Sequence, residues 1–278
     1  FDLYDVLSDQ SPQIEVLFIE RTKQLLKNGG LAGIILPRTI LNGKNYAKAR
    51  EIILQYFDIV AITELGGNTF MATPVSTVVL FLRRRNNYDC IGWKNAINTF
   101  FETHNDVTIN GIEKPVTKYI NHVWETISFE DYSTLLSKKP NKKIEENDIY
   151  KEYKKKIKVK NDSSFWDAVL ETETEKLYYF IITYPQKTVL VKTGQKNAEK
   201  QFLGYDFSER RGSQGIHAMQ QGKNIEDCTQ LFDPNVFDNP TKASTYVYKA
   251  FNGDFESEID KTIQKNVTRY DLVDMLPF

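Results

Sequence analysis

Cysteine is nearly absent from this chain of 278 residues: Cys90 and Cys228 are the only two, and no Cys-x-x-Cys pair exists. The three histidines, His104, His122 and His217, are scattered through polar stretches. That poverty argues against a zinc site and against the disulfide framework of a small secreted domain, and it makes a reducing cytoplasm the simplest compartment. Long apolar runs are missing too. Nothing approaches the roughly 20 residues needed to span a bilayer, and no charged-then-apolar leader opens the chain, so no membrane partner is expected. Nor does charge of one sign dominate: 36 Lys+Arg face 37 Asp+Glu, for a net charge of −1 and a pI near 6.4. A near-neutral chain has no large average positive field, so nucleic-acid binding would need a local basic face.

Several catalytic signatures are also lacking. There is no G-x-x-x-x-G-K-[ST] phosphate loop, no G-x-S-x-G elbow and no H-E-x-x-H helix. Carboxylates are plentiful but show no repeated spacing. From the residues alone, the chain does not contain a complete active site. It opens with Phe rather than Met, and is expected to be a piece of a longer polypeptide.

What is present is organised around residues 29–85. Three apolar runs, 31–36, 59–65 and 75–82, are joined first by a helical pattern and then by a polar Gly-rich loop. Ser11-Pro12 reads as a helix start, with Ser as N-cap and Pro in the first turn. Ile14, Leu17, Phe18, Leu25 and Leu26 give that helix an apolar face, and Asn28-Gly29-Gly30 ends it. The continuously apolar run 31–36 reads as a strand buried on both faces, stopped by Pro37. Residues 45–56 carry helical spacing and 57–65 are strand-like. The helix–strand repeat predicts two parallel neighbouring strands with a right-handed crossover. Only about nine loop residues separate 57–65 from 75–82, too few for a crossover helix, so that pair is expected to be antiparallel. The expected result is a mostly parallel sheet finished at its edge by a hairpin, an arrangement many α/β folds share.

Beyond Tyr88 the pattern weakens. A strand is expected around residues 90–93, a Gly-turned hairpin over 107–116, and a helix starting at Ser128. Lysine-rich 138–160 reads as a solvated helix or linker, with a solvated face favoured over a phosphate-tracking role. Phe165, Trp166, Val169, Leu170 and Leu177 suggest a helix, followed across Pro185 by a strand at 187–192. Residues 202–216, FLGYDFSERRGSQGI, are the most distinctive stretch of the second half. A weak helix is expected over 260–276.

Residues 13–85 resemble the second half of the catalytic domain of N6-adenine DNA methyltransferases, above all the modification subunits of type I restriction systems and fused type IIG enzymes. The helix ending FIERTKQLLKNGG, the strand LAGIILP and the hairpin ELGGNTFMATPVSTVVLF carry the likeness. It is specific over these residues and looser over 165–278, through FLGYDFSERRG and LVDMLPF. The resemblance implies the C-terminal half of a Rossmann-like methyltransferase sheet ending in an antiparallel hairpin, followed by a mixed, largely helical region. The corresponding divisions are 1–125, a partial catalytic domain; 126–162, a Lys-rich linker or helix; and 163–278, a C-terminal region. In the family, the Gly-rich loop for S-adenosylmethionine and the Asn-Pro-Pro-aromatic motif lie upstream. Neither is in this sequence, so the piece is expected neither to methylate alone nor to bind the cofactor tightly.

Double-stranded DNA is the implied partner, with specificity and restriction subunits, or fused domains, as further ones. Phe70 matches the family position whose ring stacks on the extruded adenine; a hydrophobic plug at the loop base is the alternative. Pro37 and Arg38 follow the strand 31–36, at the end where open α/β sheets place ligands, so they could line the base pocket or the DNA path. A plain strand-ending proline is equally consistent. Arg210 and Arg211, among Tyr205, Phe207, Gly212 and Gly215, are candidate phosphate contacts, although the short segment favours a structural turn. Two other readings compete. One is a DNA- or subunit-docking module without catalysis. The other is an unrelated Rossmann-like fragment, which a final antiparallel hairpin disfavours.

Overall fold

The computed structural model describes residues 14–67, 69–70, 75–106, 108–109, 111–159, 161–207, 216–220 and 222–275. They fall into two compact units: the chain up to Arg85 together with Gln186–Met275, and the intervening stretch Asn86–Pro185. The units divide near residues 85 and 186, and the second unit is inserted in sequence into the first.

The first unit is a layered α/β structure. Helix α1 (Ile14–Leu25) ends where Gly29 adopts φ +75°, a left-handed conformation that glycine reaches without penalty. Strand β1 (Leu31–Pro37), helix α2 (Ala47–Tyr56), strand β2 (Phe57–Leu65) and strand β3 (Thr77–Arg84) follow. The sequence placed these elements correctly, but their order in the sheet differs from the expectation. β3 pairs antiparallel with β2 and also with β1, and so lies between them. β1 and β2 point the same way without being neighbours, and the hairpin is interior to the sheet. β1 is then the outermost strand among those described, and Leu31 and Ile35 are exposed, against the expectation of burial on both faces. An apolar run records that a strand favours apolar surroundings; it does not record which strand will flank it.

After the insertion the chain returns to the same sheet, so elements of the first unit resume with the numbering of the whole chain. The inserted helices are α3 (Asn87–Thr103), α4 (Pro115–Tyr119), α5 (Phe129–Leu136), α6 (Lys142–Glu146), α7 (Asp148–Lys156) and α8 (Asp162–Thr183). Strand β4 (Lys187–Lys192) then adds parallel to β2, with Ala61 opposite Val189 and Glu64 opposite Lys192. Helix α9 (Asn197–Leu203), the short pair β5 (Tyr205–Phe207) and β6 (Ile216–Ala218), the turn α10 (Ile225–Cys228) and helix α11 (Ala243–Phe251) lead to strand β7 (Val267–Asp271). β7 pairs antiparallel with β4 and completes the order β1-β3-β2-β4-β7. In place of the weak helix expected over 260–276 stand turns at 261–266, strand β7 and a 3-10 turn at Leu272–Met275, the strand forming where the available edge of β4 rewards extended backbone.

Both faces of the sheet are covered, and β3 shows how. Phe81 meets Phe251 of α11 edge-to-face at 6.2 Å, and the Arg83 guanidinium donates to the Phe251 carbonyl. One residue further along, Arg84 points to the other side, donating to the carbonyls of Lys23 at the end of α1 and Tyr56 at the end of α2. Period-two alternation places these neighbours on opposite faces. The run Arg83-Arg84-Arg85 is therefore structural: Arg85, itself buried, bonds Asp58 at 2.7 Å and the Leu54 carbonyl. On the α11 side, Tyr246, Val247 and Ala250 pack with Val60, Val189, Val191 and Val267.

The inserted unit is helical where strands were expected. Trp93, Ile97 and Phe100 bury one side of α3, a spacing of four and three that decides for helix over the expected strand at 90–93. Among the described residues of the hairpin expected over 107–116, the bridge Ile109–Ile112 is the strand pairing present before Pro115 opens α4. Ser128 does cap α5, in a reciprocal capping box with Asp131. The Lys-rich stretch is not a linker: α6 and α7 bury Ile144, Tyr150 and Tyr153 while their lysines face solvent. Glu173 of α8 sits at the centre, fully buried, accepting from the hydroxyls of Tyr119 (2.8 Å), Tyr132 (2.7 Å) and Tyr153 and from the Trp124 indole (3.2 Å). Burial, and then the nearby Glu173 carboxylate, push the Tyr119 and Tyr132 phenols well above their usual range, so they remain donors.

Candidate functional site

Three strands of the first unit run in one direction. β1 and β2 are both antiparallel to β3, and β4 is parallel to β2. Their carboxyl ends therefore share one sheet edge, where open α/β sheets bind ligands. Pro37 and Arg38 leave β1 there, Gly66 and Gly67 leave β2, and Thr193–Lys196 leave β4. A cleft of about 550 Å³ lies among them, lined by Arg38, Glu64, Gly66, Lys192, Lys196 and Glu199, among others. A second hollow, of about 540 Å³, lies beside it between Pro37, Thr39, Asn42 and Val75, with Arg38 and Ser76 common to both.

Local bonding explains the arrangement. The Arg38 backbone N–H donates to the Ser76 carbonyl at 3.0 Å, tying the turn after β1 to the entry of β3. Both the N–H and the hydroxyl of Thr193 donate to the Glu64 carbonyl at 3.2 Å, continuing the β2–β4 pairing past the last strand residue. Gly194 (φ +92°) and Lys196 (φ +52°) turn the chain into α9. The lysine backbone is held in a sparsely populated region, at a cost on the order of 1–3 kcal/mol.

Charge in the cleft is divided by burial. Arg38, Lys192 and Lys196 are exposed. Arg38 reaches Glu64 at 3.4 Å with about half of its side chain in solvent, and such surface pairs contribute about 0–1 kcal/mol. Glu199, by contrast, is fully buried. Its carboxylate accepts the Thr69 hydroxyl at 2.6 Å and lies so close over Gly66 that a Cβ there would meet Oε2 at 2.3 Å. A side chain at position 66 would require the Glu199 carboxylate to move. Burial and, second, the Glu199 charge raise the Tyr205 phenol above its usual value.

Of the residues singled out from sequence, Pro37 and Arg38 line the clefts. Phe70 is next to Thr69 in the loop after β2, 42% exposed, and is not among the residues lining either hollow. Arg210 and Arg211 lie outside the described residues. Lys192, Lys196 and Glu199 went unnoticed in the sequence, because they reach this edge only through the pairing of β4 with β2, more than a hundred residues apart. Among the described residues no group of His, Cys, Asp or Glu is arranged to hold a metal ion, and no helix is long and apolar enough to cross a membrane.

Comparison with known proteins agrees with this sheet. A similar protein is the Type II methyltransferase M.CvrRI of Paramecium bursaria Chlorella virus XZ-6E, 39% identical over 72 residues, which are 26% of this chain. The aligned part spans only 19% of that methyltransferase. The sequence model of the N-6 DNA Methylase family matches residues 5–165, more than half of the 278 residues. The α/β unit, with its mixed five-stranded sheet and helices, is consistent with a Rossmann-like methyltransferase fold, and the chain belongs to the N-6 DNA methylase family.

Proposed function

We propose that this chain is part of a DNA adenine-N6 methyltransferase of a restriction–modification system and supplies the target-base side of the active site. The observation that carries the reading is the family match across β1, β2 and β3, together with the convergence of three strand ends on one cleft rimmed by exposed cations. Exposed Arg38, Lys192 and Lys196 suit a phosphate backbone, whose charge dominates protein–DNA affinity. Resemblance to type I modification subunits and fused type IIG enzymes supports the restriction context, with specificity and restriction subunits, or fused domains, as partners.

S-adenosylmethionine is the donor that family membership implies for the whole enzyme. The residues at this edge fit it poorly: its cationic sulfonium would meet exposed Arg38, Lys192 and Lys196, and the cleft's Glu64 is already paired with Arg38 at 3.4 Å. Its loop and the Asn-Pro-Pro-aromatic motif are assigned upstream of these residues. Among the described residues no strand pairs with the outer side of β1, beside exposed Leu31 and Ile35, and that side suits a sheet continued there by further strands.

The contribution of these residues is to receive and hold the base. Adenine N6 is inaccessible inside a duplex, so the nucleotide must be extruded at a cost of a few kcal/mol. An aromatic ring stacked on the extruded base returns about 1–3 kcal/mol, comparable to that cost. Phe70, half-exposed on the loop after β2, is that ring, and Pro37 and Arg38 line the hollows at the same edge of the sheet. In the complete methyltransferase, Phe70→Ala lowers methyl transfer roughly five- to hundredfold, the equivalent of the stacking energy, while Phe70→Trp retains most of it. The measurement is methylation of a duplex alongside 2-aminopurine fluorescence at the target position. Equal activity and equal extrusion in wild type and Phe70→Ala would remove the assignment.

A further inference from the structure

The geometry points to Glu199 as a positioning residue that grips the base-stacking loop through Thr69, an inference that rests on the reading of Phe70 given above. Glu199 is fully buried, and a buried carboxylate is costly unless well paired. Two of its contacts are elements of the loop. One oxygen accepts the Thr69 hydroxyl at 2.6 Å, immediately before Phe70 in sequence. The carboxylate also covers Gly66, the first residue after β2, so closely that a Cβ there would displace it. It therefore touches the stem of the loop and the residue adjoining its aromatic ring.

The grip has a rigid base. Glu199 sits in the first turns of α9, which follows β4 after four residues. β4 is fixed to β2 by the pair Glu64–Lys192, and Thr193 bonds back to the Glu64 carbonyl. Loop and clamp are thus anchored to adjacent parallel strands, so the position of Thr69 is set relative to the sheet that carries the cleft. Residue 199 also lies beyond the matched family span of 5–165, so a segment downstream of that span completes the target-base side. Holding the loop beforehand removes the entropy that an unrestrained ring would lose on stacking, so the gain appears in turnover rather than in DNA binding.

The test compares Thr69→Val, Thr69→Ser and Glu199→Ala in the complete methyltransferase. Hydrogen exchange over residues 66–70 reads the grip, and kcat, KM for DNA and 2-aminopurine fluorescence read its consequence. Thr69→Val should speed exchange in the loop and lower kcat about tenfold, the scale of one lost charge-assisted hydrogen bond, with KM changed less than about twofold. Thr69→Ser should restore both, and Glu199→Ala should add nothing further to Thr69→Val. Unchanged exchange in Thr69→Val overturns the grip, and Thr69→Val keeps the test decisive if Glu199→Ala fails to fold. Faster exchange with unaltered kcat and extrusion overturns the positioning role when Phe70→Ala is impaired. If Phe70→Ala is also silent, the base-stacking reading has failed and the inference falls with it.

Discussion

Two glutamates, both fully buried, serve two different parts of this molecule. Glu173 stands inside the helical insertion, surrounded by four rigid aromatic donors from α4, α5, α7 and the turn holding Trp124. Glu199 stands at the margin of the sheet and holds a loop. Such groups are retained only where their hydrogen bonds are satisfied, because an unpaired buried polar group loses its hydration without return. The first braces a core by joining helices that aromatic packing alone would leave free to slide. The second holds Thr69 and lies against Gly66 in the loop after β2. The same side chain is therefore structural or functional according to whether its partners lie in a core or in a loop beside a cleft.

The largest expected effect tests the core brace. Glu173→Ala leaves four buried donors without an acceptor, and breaking a buried charged network of this kind costs roughly 3–5 kcal/mol. Hydrogen exchange should then rise throughout α4, α5, α7 and α8 while the sheet stays protected. A Glu173→Leu variant as stable as wild type would break the contrast between the two glutamates. The alkaline limb sharpens it further. The Tyr119 and Tyr132 phenols are raised in the folded state, first by burial and then by Glu173. Their contribution is therefore complete below the unfolded tyrosine value near 10 and declines as pH rises from there toward the folded values. Because one raised phenol no longer titrates, the fall in stability above pH 10 should be shallower in Tyr132→Phe than in wild type.

An intermediate effect is expected at the other glutamate. Gly66→Ala drives a methyl group into the Glu199 carboxylate, an overpacking cost of roughly 1–3 kcal/mol. Hydrogen exchange should increase around the loop after β2 and in α9, with the helical insertion unchanged. An alanine accepted there without any change in exchange would mean that the loop and Glu199 are not in tight contact.

The smallest effect concerns the helix cap at Asp131. Hydrogen bonds from Lys143, then Asn141 and Ser128, hold its carboxyl well below the ordinary aspartate value of 3.8. A depressed folded value contributes stability above the unfolded one, and that contribution is lost as pH falls through the folded value. Acid titration followed by circular dichroism should show α5 loosening at higher pH in Lys143→Ala than in wild type. Coincident acid transitions would show that the cap carries no pH-dependent stability.

Much of this architecture was legible in the chain. The runs at 31–36, 57–65 and 75–82 became β1, β2 and β3, and the short loop after β2 required β3 to return antiparallel. Ser128 announced the start of α5, and the helix before Pro185 and the strand after it were placed correctly. The α3 helix was misread because Cys90, Ile91 and Trp93 favour a strand locally, whereas Trp93, Ile97 and Phe100 bury one helical face. At the site, Pro37, Arg38 and the Gly-rich loop were visible as strand-end residues, but Glu199, Lys192 and Lys196 were not.

What the sequence by itself determined is which segments are strands or helices and which faces prefer burial, because propensity, capping and periodicity act over a few residues. Tertiary structure alone decided that β3 enters between β1 and β2, and that β4 returns beside β2 after the helical insertion. Strand pairing depends on which edge is free when distant segments meet, and a local pattern of apolar residues carries no record of that. The acid against Gly66 and Thr69 is a product of that pairing, which brings residue 199 to the loop that residues 66–70 form.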